Sequence, residues 1–352
     1  MTDLLYTEGP ETGRVARGGG GWTTAGRLVV LLAGVTAMGP GNATLLAQSE
    51  PAEPWQPAIA EGGAQGGGWS DPGVPAEFEY DKYGGLEYSS GEDWQLTLDV
   101  YVPRRSQPAP AVLAIHGGGW RSGSKLNWYR HARKLARAGF VVVAINYRHA
   151  PRFPFPAQIH DCKAAVRWMR QNARTYRFDP ERIGVLGYSA GGHLAALLAT
   201  SDPESGLEGP VPVAESDIST RVQAVAVGGA PCDLESFDEE TRVLDFWLGG
   251  SRRERPENWR QASPATWLTA DDPPFHFFHG RRDRVVPEAD TRDFHERVVA
   301  SGVESAFYAY DAGHVGAYLD LETLDPVILF FRRHLSDHPQ DGTATGQETR
   351  RD

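Results

Sequence analysis

Gly187-Tyr188-Ser189-Ala190-Gly191-Gly192-His193 sets one serine among residues with almost no side chain. How this stretch is read decides the fold. The segment before it, Arg182-Ile183-Gly184-Val185-Leu186, suits a short buried strand, and Leu194 to Ala199 after it reads as a helix. G-x-S-x-G at a strand-to-helix turn forces its central residue into strained backbone geometry, and only minimal neighbours let the helix approach the strand so closely. Ser189 is therefore expected to lift its hydroxyl above a sheet. A glycine-rich turn can also cradle phosphate, but neither G-x-G-x-x-G nor G-x-x-x-x-G-K-[ST] occurs.

Outward from this turn, strand-like and helix-like stretches alternate. Residues 95–102 alternate apolar and polar side chains, as a half-exposed edge strand would. Residues 111–115, 140–145 and 222–227 are continuous apolar runs suited to strands covered on both faces. Ile159, Cys162, Val166 and Met169 recur at helical spacing on one face. Further on, a strand is expected at 275–278, a helix over 290–300, a strand at 306–310 and a last helix opened by Asp325-Pro326. This alternation predicts an α/β fold with a mostly parallel central sheet and helices on both faces. Ligands of such sheets bind beyond the carboxyl ends of the strands, where Ser189 is placed.

Of the 352 residues, 40% are hydrophobic and 23% charged, as in an ordinary globular protein. The formal charge of -11 disfavours nucleic acid and anionic membranes, whose phosphates repel an acidic surface. Arg14, Arg17 and Arg27 precede an apolar run from Leu28 to Ala37 that continues loosely to Ala47, the order of a secretory signal. Gly39-Pro40-Gly41-Asn42 interrupts it short of the roughly 20 apolar residues of a membrane span. The expected organisation is a signal peptide over 1–47, a Pro/Gly-rich linker over 48–75, one domain over 76–335 and a polar tail over 336–352. The mature protein would be secreted or periplasmic and off the membrane. Cys162 and Cys232 make no disulfide framework and are expected to be buried thiols.

The serine hydroxyl needs a base, and an imidazole acting as that base needs a carboxylate to fix its tautomer. Residues 279–287, His-Gly-Arg-Arg-Asp-Arg-Val-Val-Pro, offer Asp283 past a predicted strand, with Asp290 and Asp293 as nearby alternatives. His314 stands in a glycine-flanked loop past the next strand. The order Ser, Asp, His is that of α/β-hydrolases. His116-Gly117-Gly118-Gly119-Trp120 follows a central strand, and N–H groups in a loop free of side chains can approach a developing oxyanion closely. Gly118 and Gly119, with Ala190, are the expected donors. Trp120, His116 and Tyr188 adjoin these groups and are expected to line the substrate pocket. No H-E-x-x-H or other ligand spacing points to a metal, and no cofactor is expected.

HGGGW, the stretch from Asn146 to Ser201, SPATWL, HGRRDRVVP and GHVG together resemble the secreted α/β-hydrolase esterases of the bacterial feruloyl and acetyl-xylan esterase type, related to the acetyl esterase and hormone-sensitive-lipase branch. The resemblance covers nearly all of 76–335. It implies carboxylester hydrolysis with Ser189 as nucleophile, His314 as base and Asp283 as orienting acid, acting on small-molecule or polysaccharide esters without a cofactor. The sequence departs from that pattern at Gly229-Ala230-Pro231-Cys232-Asp233-Leu234, where a Gly-Pro-Thr-Asp-like turn is expected. Nor can the glycine-rich linker before Phe78 supply the N-terminal cap helices of hormone-sensitive lipases. Any small cap must come from 231–272, which carries Phe246, Trp247, Trp259 and Trp267. Two other readings share the motifs: a prolyl-oligopeptidase-like serine peptidase, against which the absence of propeller repeats speaks, and an inactive hydrolase-fold binding module.

Overall fold

The computed structural model of the chain describes residues 77–211 and 215–335. The signal, linker and tail expected over 1–47, 48–75 and 336–352 lie outside the described residues.

The continuous apolar runs become the centre of an eight-stranded sheet. Its strands are β1 (Tyr80–Gly91), β2 (Trp94–Pro103), β3 (Ala109–Ile115), β4 (Val141–Ile145), β5 (Phe178–Tyr188), β6 (Ala224–Gly228), β7 (Phe275–Gly280) and β8 (Ser305–Tyr310), in the order β1-β2-β4-β3-β5-β6-β7-β8. The β1–β2 and β2–β4 pairs are antiparallel and every later pair is parallel. This is the α/β-hydrolase fold. The runs are apolar throughout because both of their faces are covered: Val141, Val143 and Ile145 of β4 join one core cluster, Val142 and Ala144 the other.

Helices α2 (Ala157–Asn172), α3 (Ala190–Thr200) and α7 (Glu288–Ala300) supply Ile159, Leu194 and Phe294 to the first cluster. Helices α1 (Tyr129–Arg137), α8 (His314–Leu319) and α9 (Leu324–Leu335) supply Leu135, Ala317 and Phe331 to the second. Full burial of one such Leu, Ile or Phe contributes about 1.5–3 kcal/mol. Cys162 and Cys232 are buried free thiols within the first cluster.

The expected edge strand is not at the edge. β2 lies between β1 and β4, and its apparently solvent-facing Asp99 is buried, bonded by the Lys82 and Lys125 ammonium groups at 2.8 Å each and by the Gly85 N–H at 3.0 Å. At Asp99, the polar half of the alternation thus marks a buried carboxylate with two counter-ions. The true edge, β1, escapes pattern reading because Gly84-Gly85 interrupts a polar sequence, and its register slips between Tyr83 and Leu86.

Between β6 and β7 the chain forms the small cap, with α4 (Asp245–Leu248), α5 (Pro256–Gln261) and α6 (Pro264–Trp267). Trp247 and Trp259 are wholly buried in it and therefore pack rather than face a ligand. The Trp247 indole stacks on Trp120 at 3.9 Å between ring centroids and 6° between planes, pinning the cap to the loop after β3.

Candidate active site

Ser189 stands between β5 and α3 with φ 58° and ψ -127°, a left-handed conformation that costs a non-glycine residue about 1–3 kcal/mol. The surroundings enforce it. The Ser189 N–H donates to Gly228 O at 2.8 Å, and the His193 N–H donates to Ser189 O at 2.9 Å. A Cβ on Gly191 would lie 2.1 Å from Ile115 O, and one on Gly187 2.0 Å from Gly191 O, so only glycine admits this crossing of turn, strand and helix.

The structure brings Ser189, His314 and Asp283 together from the ends of β5, β8 and β7. His314 Nε2 is 3.0 Å from Ser189 Oγ, and His314 Nδ1 is 2.6 Å from Asp283 Oδ2. A carboxylate only accepts, so Nδ1 carries the proton and Nε2 presents its lone pair to the hydroxyl. Asp283 Oδ1 accepts the N–H groups of Val285 at 2.8 Å and Val286 at 2.9 Å. Burial alone would raise the Asp283 pKa; bonds from His279, His314 and Val286 outweigh it and hold the carboxyl far below the usual carboxylate range. The two alternative carboxylates, Asp290 and Asp293, sit on α7 and make no bond to His314 among the described residues. Such a line can move a proton from hydroxyl to imidazole while the carboxylate stabilises the resulting charge.

The glycine loop lies beside it. A Cβ on Gly117 would stand 3.2 Å from Ser189 Cβ. Gly118, Gly119 and Trp120 take successive φ values of 127°, 60° and 56°. Gly118 O is occupied by the N–H groups of Arg121 at 3.2 Å and Ser122 at 3.1 Å. Among the described residues no hydrogen bond uses the N–H of Gly118 or Gly119. Ala190 opens α3, where the first N–H groups lack intrahelical acceptors. The glycine loop and the first turn of α3 thus carry N–H groups without a backbone acceptor among the described residues on either side of the serine in sequence.

The three expected pocket residues are placed differently. His116 is wholly buried, stacked on Tyr147 at 4.2 Å, and its Nδ1–H donates to Gly117 O at 2.8 Å: it braces the glycine loop from behind. Tyr188 is 2% exposed and its hydroxyl donates to His314 O at 2.7 Å, beneath the imidazole. Trp120 is held between Trp247 and His193, donating to His193 Nδ1 at 3.3 Å, which leaves it 5% exposed. Adjacency in sequence to the reacting groups is the ground for expecting them in a pocket, but their rings pack against buried aromatic partners instead. Sequence reading also missed His279, which opens the same HGRRD stretch as Asp283; an i,i+4 spacing at a strand's end was the available signal.

The family model BD-FAE matches residues 98–298. Esterase LipC of Mycobacterium tuberculosis is 35% identical over 241 residues, covering 65% of this chain and 59% of LipC. The chain spans 47% to 59% of the length of the first three curated relatives it matches. Among solved structures, a truncated form of carbohydrate esterase from gut microbiota is similar with a TM-score of 0.65 and 27% identity, covering 75% of this chain and 100% of that one. The butyrate-bound esterase Est2 of Thermogutta terrifontis is similar with a TM-score of 0.61 and 26% identity, covering 76% and 98% respectively. A family match over more than half of the sequence, on a sheet of this topology, has one meaning: the chain belongs to the BD-FAE family of the α/β-hydrolase fold.

Proposed function

We propose that the protein is a serine carboxylesterase. The observation that carries this reading is the line Ser189 Oγ, His314 Nε2, Asp283 Oδ2, with steps of 3.0 and 2.6 Å, beside a glycine loop whose Gly118 and Gly119 N–H groups have no acceptor among the described residues. Ser189 Oγ attacks the acyl carbon as His314 Nε2 takes its proton, and ionised Asp283 stabilises the imidazolium. The carbonyl oxygen becomes an alkoxide bonded by the N–H groups of Gly118, Gly119 and Ala190. The intermediate collapses, the ester C–O bond breaks, and His314 returns the proton to the departing alcohol. Water, deprotonated by the same imidazole, then cleaves the acyl-serine and regenerates the hydroxyl.

The proposed substrates are small acyl esters, including acetyl or feruloyl groups on plant polysaccharide fragments. The carbohydrate esterase and the butyrate-bound esterase among the similar structures support that range. The basic flank and apolar run over 1–47 support a secreted or periplasmic site of action.

The test is turnover of p-nitrophenyl acetate, methyl ferulate and a prolyl p-nitroanilide, with and without a chelator. Ester hydrolysis that survives chelation and disappears in Ser189→Ala is the expected result. Anilide cleavage alone would transfer the assignment to a peptidase, and no turnover of any ester would overturn it.

A further inference from the structure

Asp283 is held by two imidazoles. Besides His314, His279 from the end of β7 places Nε2 3.2 Å from Asp283 Oδ2 and 3.0 Å from Val286 O. Carboxylate and carbonyl both accept, so His279 Nε2 carries the proton and shares it between them. The His279 and Asp283 side chains are both fully excluded from solvent. His279 Nδ1 is buried with no hydrogen-bond partner, so the ring's only hydrogen bonding is through Nε2. The bonds at Asp283 then fill its acceptor sites: Oδ1 takes two backbone N–H groups, and Oδ2 takes one N–H from each histidine.

We infer that His279 is a positioning residue of the catalytic machinery, an imidazole whose Nε2–H fixes the Asp283 oxygen that orients His314. The inference rests on the serine-esterase reading of the same site. Among the described residues His279 makes no hydrogen bond to Ser189 or the glycine loop, so its proposed effect on the reaction runs through Asp283. Its N–H stops the carboxylate from turning away from His314 Nδ1. The groups facing this unit are Asp283 and His314 themselves, Asp290 of α7, whose carboxyl feels the His279 imidazole, and Tyr188, which lies close enough to Asp283 to feel its charge.

The test compares His279→Gln, which keeps an N–H near the position of Nε2, with His279→Phe, which keeps a ring without a donor, and His279→Asn, whose amide stops short at the place of Nδ1. Each is assayed on p-nitrophenyl acetate from pH 5 to 9, with kcat per active site titrated by a fluorophosphonate, so that misfolded molecules are not counted. His279→Phe and His279→Asn are expected to lose about tenfold in kcat, with KM within about twofold of wild type. His279→Gln should recover most of kcat. If His279→Phe keeps the wild-type kcat, or if His279→Gln is as impaired as His279→Phe, the ring only fills space and the inference fails. A wild-type protein that neither reacts with fluorophosphonate nor turns over esters would instead sink the esterase reading.

Discussion

Replacing Asp283 with Asn changes one atom and tests the hydrogen-bond logic of the site. The amide has one accepting and one donating end, and the surroundings fix which goes where. If its oxygen stays on the N–H groups of Val285 and Val286, at the 2.8 and 2.9 Å of Oδ1, its NH2 takes the place of Oδ2. That NH2 then faces His314 Nδ1 at 2.6 Å and His279 Nε2–H at 3.2 Å. The flipped amide would turn its NH2 onto two backbone donors, leaving more unmatched groups, so the first orientation prevails. His314 must then accept at Nδ1 and carry its proton on Nε2, where it donates to Ser189 instead of deprotonating it. Loss of the correct tautomer together with the counter-charge costs about 10,000-fold in kcat at neutral pH, or about 5.5 kcal/mol of transition-state stabilisation. The assay is p-nitrophenyl acetate hydrolysis per folded molecule, with fluorophosphonate labelling slowed in parallel. Asp283→Asn retaining a tenth or more of wild-type kcat would refute this reasoning, as would an equal loss in Asp290→Asn or Asp293→Asn.

The same carboxyl governs acid stability. Its folded pKa lies below its unfolded value, so it stabilises the fold above an unfolded pKa of about 4 and loses that contribution as pH falls further; denaturant titrations should show the wild-type advantage over Asp283→Asn shrinking from pH 5 to pH 2. Tyr188→Phe removes the hydroxyl bonded to His314 O at 2.7 Å, and kcat should fall several-fold with KM unchanged, since the ring stays in place and about 1 kcal/mol of loop anchoring is lost. Gly118→Ala would put a Cβ 2.1 Å from Ser122 O at a φ of 127°; displacement of that peptide should cost about 100-fold or more in kcat, read against an unchanged circular dichroism spectrum. Trp247→Ala empties a fully buried site between Trp120 and Phe155 and should destabilise the fold by about 3–5 kcal/mol in urea titration.

Legibility in the sequence followed the distance over which each feature is determined. Residues 141–145 could be read as a central strand because burial on both faces demands an unbroken apolar run. Ser189, Asp283 and His314 could be read because each sits at a strand's end in a fixed chain order, and the glycines at 187 and 191 declare steric contacts that any Cβ would violate. What could not be read depends on partners remote in sequence. Asp99 looked solvent-facing because nothing near it announces Lys82 and Lys125 as its counter-ions. His116, Tyr188 and Trp120 flank the reacting groups in sequence, yet Tyr147, His314 and Trp247 decide where their side chains go. His279 shares a short stretch with Asp283, but only the turn through Val286 reveals that its N–H meets the same oxygen.

Trp120 shows why the cap and the catalytic loop behave as one unit. It follows Gly119 directly and, at φ 56°, holds a conformation that costs a side-chain-bearing residue about 1–3 kcal/mol. That strain persists only if the folded surroundings offset it. The stack on Trp247 and the bond to His193 Nδ1, whose ring in turn donates from Nε2 to Ala262 O at 2.7 Å, supply the compensation from α4, α3 and the end of α5. An aromatic pair of this kind adds about 0.5–1.5 kcal/mol beyond its area of burial, comparable with the strain it opposes. Cap substitutions that loosen Trp247 should therefore relax Trp120 and, through the adjoining peptide, displace Gly119. On the reaction proposed above, the cap would act through this backbone, by holding the proposed donors in place.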